Sequence, residues 1–412
     1  MSMVFHCPYR QSNLLQQALA PNKMRVAFLL GAGCPVSIKV EDENGWQSLI
    51  PDIRGLTKVV NDKLSGCNSL KEAHCALLKR LDDSDLYDPT VEDMLSHIRA
   101  LSDVVGKGNI EGLDKKVLTS LDVEICKITT DVVAVELPDE NTPYHQLATW
   151  VRGIQRIHPV EVFTPNYDLL MEQAFEAGKV PYFDGFIGSK RAFFDLTAME
   201  SESLPSRWAR LWKVHGSVNW WRQPVGKSQN EFEVVRAEKG SQDGRQMIYP
   251  SHLKYDQSRR LPYLAMLDRL REYLARGQGI LVTCGYSFAD QHLNEVILHG
   301  LRSNPTAVCF GLVYGPRAAY ENVILKAIRH PNLSLLAADG AVLGGVEGNW
   351  RVDEQAGHLQ HGLSVAKKAV IGSDGVEASG CEFMLGDFKV FGKFLARQLS
   401  RSGDDQVTAD AT

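Results

Sequence analysis

Three short runs of apolar residues, each cut off by glycine or proline, constrain this chain more than any other feature. They are Arg25–Leu30 (R-V-A-F-L-L), Val160–Phe163 (V-E-V-F) and Gly279–Cys284 (G-I-L-V-T-C). Runs of this length, rich in β-branched and aromatic residues, read as strands buried in a sheet. The first runs into Gly31-Ala32-Gly33, the second is stopped by Pro165, which lacks the N–H that a ladder needs, and the third ends at Gly285. Two more such runs, Ala307–Val313 and Leu333–Ala337, follow. Helical patterns alternate with them, among them Tyr263–Arg276. The alternation predicts an α/β fold on a doubly wound parallel, Rossmann-like sheet. Ligands of such sheets bind beyond the carboxyl ends of the strands, so polar side chains just past each run are the site candidates.

Thr164, Asn166 and Asp168 follow the second run, before an apolar, helix-like stretch from Leu169 to Phe175. As a site they would face a ligand; as a turn and helix cap they would satisfy backbone donors. Gly31 and Gly33 carry a similar pair of readings. Glycines one residue apart let a backbone approach a phosphate, or simply let a strand meet a helix. The full G-x-G-x-x-G fingerprint is not met, because Val36 holds the third position. A further short strand, Leu211–Val214, exits into His215-Gly216-Ser217-Val218-Asn219, where His215 is either a structural or a working histidine.

The remaining chain frames these motifs. Ser12–Leu19 reads as an amphipathic helix, Lys39–Trp46 as a polar loop, and Thr57 to about Gln146 as a helical insertion. Within it, Thr90 caps a helix with Asp93 at the third position, and Thr142-Pro143 opens the next helix, Gln146–Ile157. Gly178–Ser206 reads as irregular and Met247–Pro250 as a strand-like piece. Beyond Gly340 the pattern weakens through the glycine-rich Val342–Gly348, recovers in an amphipathic helix closing Phe383–Leu399, and ends in a polar tail, Ser400–Thr412, expected to be disordered. The expected division is an N-terminal arm over 1–22, a domain over 23–340 with an insertion at about 57–146, and a small C-terminal segment over 341–412.

A net charge of −5 and a pI near 6.2 give no electrostatic case for direct nucleic-acid binding. No apolar run reaches membrane-spanning length and residues 1–10 lack a signal pattern, so the expected location is cytoplasmic, with no membrane contact. The eight cysteines contain no C-x2-4-C pair, so no structural zinc or other metal site is expected.

Four strand-end motifs, G-A-G at 31–33, I-P-D-I-R at 50–54, T-P-N-Y-D at 164–168 and V-H-G-S at 214–217, stand in one order. Together they resemble the sirtuin family, with its G-A-G turn, P-D-F-R segment, T-Q-N-x-D loop and H-G pair. C-G-Y-S-F-A-D-Q-H-L-N at 284–294 is similar to the family's late strand at the adenosine end of NAD. More narrowly, the chain resembles the sirtuin-like NAD-hydrolysing proteins of bacterial phage defence. The likeness spans about Arg25 to Gly340.

The resemblance implies roles for individual residues. Gly31, Ala32 and Gly33 would approach the diphosphate and Arg54 would pair with it. Asp52 would meet the nicotinamide amide, and Thr164 and Asp168 would support that pocket. Asn166 would hold the ribose or the attacking water, and His215 would accept a ribose hydroxyl proton. Gly285, Ser287 and Asn294 would contact the adenosine. The chain departs from lysine-deacylating sirtuins in lacking their paired C-x-x-C zinc ribbon, in its stretched Lys39–Gln47 segment and in Pro165. The implied function is an NAD glycohydrolase, with NAD as substrate, acting as a gated effector of anti-phage defence. A regulatory subunit that binds NAD or ADP-ribose without turnover, and a protein deacylase, are the alternatives. The resemblance also implies a homo-oligomer and pairing with a HerA-like DNA-translocating ATPase.

Overall fold

The computed structural model describes residues 4–404, apart from 21–22, 44, 85, 202, 206, 226–231, 239–244, 249–261, 354, 357–361 and 372–376. Tyr249, Pro250 and the tail over 405–412 therefore lie outside the described residues.

The predicted sheet is present and has ten strands among the described residues. In chain order they are β1 (Phe5–His6), β2 (Arg25–Leu30), β3 (Val160–Thr164), β4 (Tyr182–Phe183), β5 (Ala209–Lys213), β6 (Gly279–Cys284), β7 (Ala307–Leu312), β8 (Leu333–Leu336), β9 (Gly340–Leu343) and β10 (Val346–Trp350). Across the sheet they run β4-β5-β3-β2-β6-β7-β8-β9-β10-β1. Neighbours from β4 to β8 are parallel, whereas β9 is antiparallel to both β8 and β10. Each apolar run looked uniform in the sequence because both faces are covered. Val26, Phe28, Leu30, Val162 and Val282 join one core, while Ala27, Leu29, Phe163, Leu281 and Trp212 join the other.

The first core is covered by α1 (Pro8–Leu19), the insertion helices α3 to α6, α7 (Pro143–Gly153), α8 (Leu170–Ala177) and a C-terminal helix, α12 (Phe388–Asp404). The insertion comprises α3 (Ile53–Ser65), α4 (Lys71–Asp82), α5 (Val91–Val104) and α6 (Lys115–Val133), and follows α2 (Gly33–Val36). On the opposite face lie α9 (Tyr263–Ala275), α10 (Gln291–Ser303) and α11 (Glu321–Arg329). A second, antiparallel sheet leaves the end of β5 through Gly216–Pro224 and collects Phe186–Ile187, Ala192–Phe194, Phe232–Arg236 and Arg245–Ile248.

Four stretches differ from the sequence expectation. Lys39–Trp46 is no loop but a hairpin, Lys39–Asp42 against Gly45–Ser48, whose polar composition reflects exposed strands. The glycine-rich 342–348 segment is also a hairpin; Gly344 and Gly345, with φ of 58° and 80°, form its turn between β9 and β10. Part of Gly178–Ser206 is regular, contributing β4 and two strands of the second sheet. Helix α12 continues through Ser400 to Asp404, into the stretch expected to be disordered, because a polar composition does not by itself end a helix.

Candidate functional site

The order of the sheet reverses direction at β2, where the chain builds outward through β3 and β5 on one side and β6 and β7 on the other. The crevice beyond the carboxyl ends of these strands is where an open α/β sheet takes its ligand. Its floor is two interlocked turns. Gly31 N–H donates to the Cys284 carbonyl at 3.0 Å, Gly33 N–H to that of Gly285 at 2.8 Å, and Cys34 N–H to that of Gly31 at 3.0 Å. A Cβ on Gly31 would lie 2.3 Å from the Gly285 oxygen, and one on Gly285, whose φ is +63°, 2.5 Å from the Cys34 nitrogen. The glycines are thus required by each other, and most amides of the turn are already paired. Ala32 is its exposed residue.

The T-P-N-Y-D segment divides its labour. Thr164 Oγ1 donates to the Leu30 carbonyl at 2.8 Å and accepts the Asn166 N–H at 3.1 Å. Asn166 Nδ2 donates to the Gly31 carbonyl at 3.1 Å, which ties the loop to the glycine turn. Asp168 instead serves the start of α8, its Oδ1 accepting the Leu170 N–H at 3.0 Å. Burial pushes the Asp168 carboxyl up, against the opposing pull of Lys213. That lysine, 2% exposed, donates to the Asp168 carbonyl and sits 3.4 Å from Glu172. Asn166 has no part in capping, so the cap reading explains Asp168 and leaves Asn166 over.

His215 follows β5, which pairs with β3 in the register Lys213 to Thr164. The two exits stay together: Val214 N–H donates to the Thr164 carbonyl at 2.9 Å and Val218 N–H to that of Tyr167 at 3.0 Å. His215 Nε2 lies 3.0 Å from Asp290 Oδ2. Asp290 is the N-cap of α10, with Oδ1 accepting the Leu293 N–H at 3.0 Å, so each carboxylate oxygen has its own task. Burial drives the imidazole pKa down, but the hydrogen bond and charge of Asp290, helped by Glu92, outweigh it and raise the pKa above its ordinary value. Glu92 comes from the insertion, in the first turn of α5, and accepts a hydrogen bond from Tyr167 Oη at 2.6 Å. Burial likewise raises the Glu92 carboxyl.

Sequence reasoning did not single out Asp290 or Glu92. A strand-exit aspartate before a helix signals a cap, and here the cap residue also has an oxygen to give His215. Nothing local in α5 signals the role of Glu92, since an acid in a first turn reads as a partner of the helix dipole.

Of the other sequence candidates, Gly285 belongs to the floor, while Ser287 is exposed and accepts the Ala289 N–H at 3.4 Å. Asn294 is buried at 2% exposure, donating to the Phe288 carbonyl at 2.7 Å and accepting from Tyr286 Oη at 2.9 Å. It shapes the 285–288 turn, in which Phe288 holds a φ of +57°. Asp52 caps α3 by accepting the Gly55 N–H at 2.8 Å, and Arg54 is exposed in that helix's first turn. The floor, Thr164 and Asn166 form one hydrogen-bonded set and His215 pairs with Asp290; Asp52 and Arg54 are engaged in neither. Among the described residues no group of three or more His, Cys, Asp or Glu could hold a metal ion. No helix among them is long and apolar enough to cross a membrane.

The solved structures similar to this chain include a Sir2 homolog–NAD complex, at 14% identity over 78% of this chain and 88% of that one, with a TM-score of 0.38. Another, solved for the mechanism and regulation of Sir2 enzymes, is 11% identical over 75% and 85%, with a TM-score of 0.34. No curated protein matches the chain. Residues 160–330, which carry the T-P-N-Y-D loop, His215 and Asp290, match the family model of the SIR2-like domain.

Proposed function

We propose that the chain is an NAD glycohydrolase, cleaving NAD to nicotinamide and ADP-ribose, in a crevice beyond β2, β3, β5 and β6. The observation that carries this reading is the His215–Asp290 pair at 3.0 Å, beside a loop whose Asn166 has no capping duty. The match of residues 160–330 to the SIR2-like domain supports it.

Nicotinamide leaves as a neutral molecule from a cationic precursor, so breaking its bond to ribose needs little acid. The demand is to stabilise oxocarbenium-like charge and to direct water at the anomeric carbon. Asn166 suits the second task because an amide both donates and accepts. With its Nδ2 held by the Gly31 carbonyl, its orientation is fixed before substrate arrives. His215 accepts the proton, and Asp290 stabilises the resulting imidazolium. Because the Gly31, Gly33 and Cys34 amides are given to protein carbonyls, the diphosphate falls to Ala32 and the exposed guanidinium of Arg54. Asp52 and Ser287 are the remaining polar groups on offer, and Thr164, Asp168 and Asn294 support the pocket from behind.

An effector that destroys NAD requires gating. We place that gate in assembly, through a homo-oligomer or a HerA-like ATPase partner, and assign the activity to anti-phage defence. Nicotinamide release from NAD by the purified chain, alone and with its partner, tests the reading. Asn166→Ala and His215→Ala are expected to keep the wild-type circular dichroism and lose about 10²–10⁴-fold in turnover. NAD consumption at the wild-type rate by both variants would refute it.

A further inference from the structure

Two carboxylates from distant parts of the chain, Glu92 and Asp290, serve Tyr167 and His215. Tyr167 donates through its hydroxyl to Glu92 at 2.6 Å, while its carbonyl accepts the Val218 N–H at 3.0 Å and Ser217 Oγ at 3.4 Å, just past His215. One residue is therefore fastened to the insertion by its side chain and to the histidine loop by its backbone. Glu92 itself is rigidly presented. Helix α5 starts at a complete capping box of Thr90 and Asp93, and the Val91 N–H donates to Thr57 Oγ1 of α3 at 2.9 Å. Among the described residues, Asp290 from α10 and Glu92 from α5 act on His215, and Asp290, Asp93 and the Tyr167 hydroxyl act on Glu92 in turn.

We infer that Glu92 is a positioning residue for His215, so that the helical insertion supplies part of the working site rather than a cover for it. The inference rests on the hydrolase reading for its consequence, though not for its geometry. Two carboxylates serve one imidazole, Asp290 directly at 3.0 Å and Glu92 through Tyr167, whose carbonyl holds the histidine loop. With both carboxylates ionised the group carries a net negative charge whether or not His215 holds its proton, which suits a substrate whose nicotinamide ring is cationic and whose transition state gathers positive charge on ribose. Withdrawing α5 would remove one of the two carboxylates and free Tyr167 at once, leaving Asn166 and the glycine turns in place.

The test is Glu92→Gln in the full chain, which keeps an acceptor for Tyr167 Oη and removes only the charge. Its expected effect is a histidine titration, followed by NMR of the substrate-free protein and assigned against His215→Asn, whose midpoint moves to lower pH. The acid limb of kcat should move the same way. The plateau kcat should fall about 3–10-fold, well short of the ~10²–10⁴-fold expected for the acid–base group itself. Glu92→Asp should restore the titration and part of the rate, whereas a merely structural role would move melting temperature and spare the pH profile. An unshifted His215 titration in Glu92→Gln overturns the inference. A wild-type chain that releases no nicotinamide refutes the hydrolase reading instead, and the titration still decides the role of Glu92.

Discussion

Asp290→Asn separates the two duties of one carboxylate. Oδ1 caps α10 by accepting the Leu293 N–H, and Oδ2 faces His215 Nε2 at 3.0 Å. Asparagine is as good a cap as aspartate, so the helix should stay intact, whereas Asp290→Ala would also lose about 1 kcal/mol of capping. What asparagine removes is a charge-assisted hydrogen bond, worth about 1.5–3 kcal/mol. Both side chains are mostly buried, at 11% and 18% exposure, so solvent screens that bond little. The loss should appear as a fall in nicotinamide release of about 10- to 150-fold. It should also appear as an acid limb of kcat displaced to lower pH, because burial then acts on the imidazole with Glu92 left to oppose it.

The same variant has a stability signature. His215 is raised above its ordinary value of 6.5, so its ionisation stabilises the folded state fully below that pH and ceases to do so as pH rises through the folded-state value. The melting temperature of Asp290→Asn should therefore lag the wild type most below about pH 6.5 and approach it in alkali. An Asp290→Asn protein with the wild-type pH–rate profile would refute the assignment of Asp290 as the partner of His215.

Two further outcomes follow from the buried groups. Lys213→Met leaves Asp168 and Glu172 without their cation and should cost about 3–5 kcal/mol in denaturant unfolding, with the deficit growing as pH rises and those carboxyls must ionise. A Lys213→Met chain as stable as wild type at neutral pH would count against the buried pairing. Gly285→Ala places a Cβ 2.5 Å from the Cys34 nitrogen in a left-handed backbone, and should cost about 1–3 kcal/mol along with most activity; calorimetry and the nicotinamide assay together check it.

The sheet could be read from the sequence because its strands are buried on both faces, and short apolar runs with glycine or proline exits have few other solutions. The hairpins at 39–48 and 340–350 could not, since exposed strands carry polar residues and a Gly-Gly turn looks like a break in structure. In the proposed site, Asn166 and His215 stand immediately past strands, where position alone singles them out as candidates. Asp290 was masked by its second duty as a cap, and Glu92 by distance, for its partner Tyr167 lies 75 residues onward. The glycine turn was ambiguous for a further reason. The Cβ exclusion that requires Gly31 comes from the Gly285 backbone, and no local pattern can report a neighbour that far along the chain.

That interlock also dictates when the protein can exist. Strand β6 must insert between β2 and β7, and the turn at Gly31 is closed only when Cys284 and Gly285 offer their carbonyls. A ribosome has to deliver the chain as far as Gly285 before the crevice has a floor, and β1 waits longer still, since its partner is Asn349. Folding dominated by such remote pairings is slow. A nascent or truncated chain ending before β6 has its Asn166 and His215 but no formed turn to orient Asn166, so synthesis itself delays the moment at which the site is assembled.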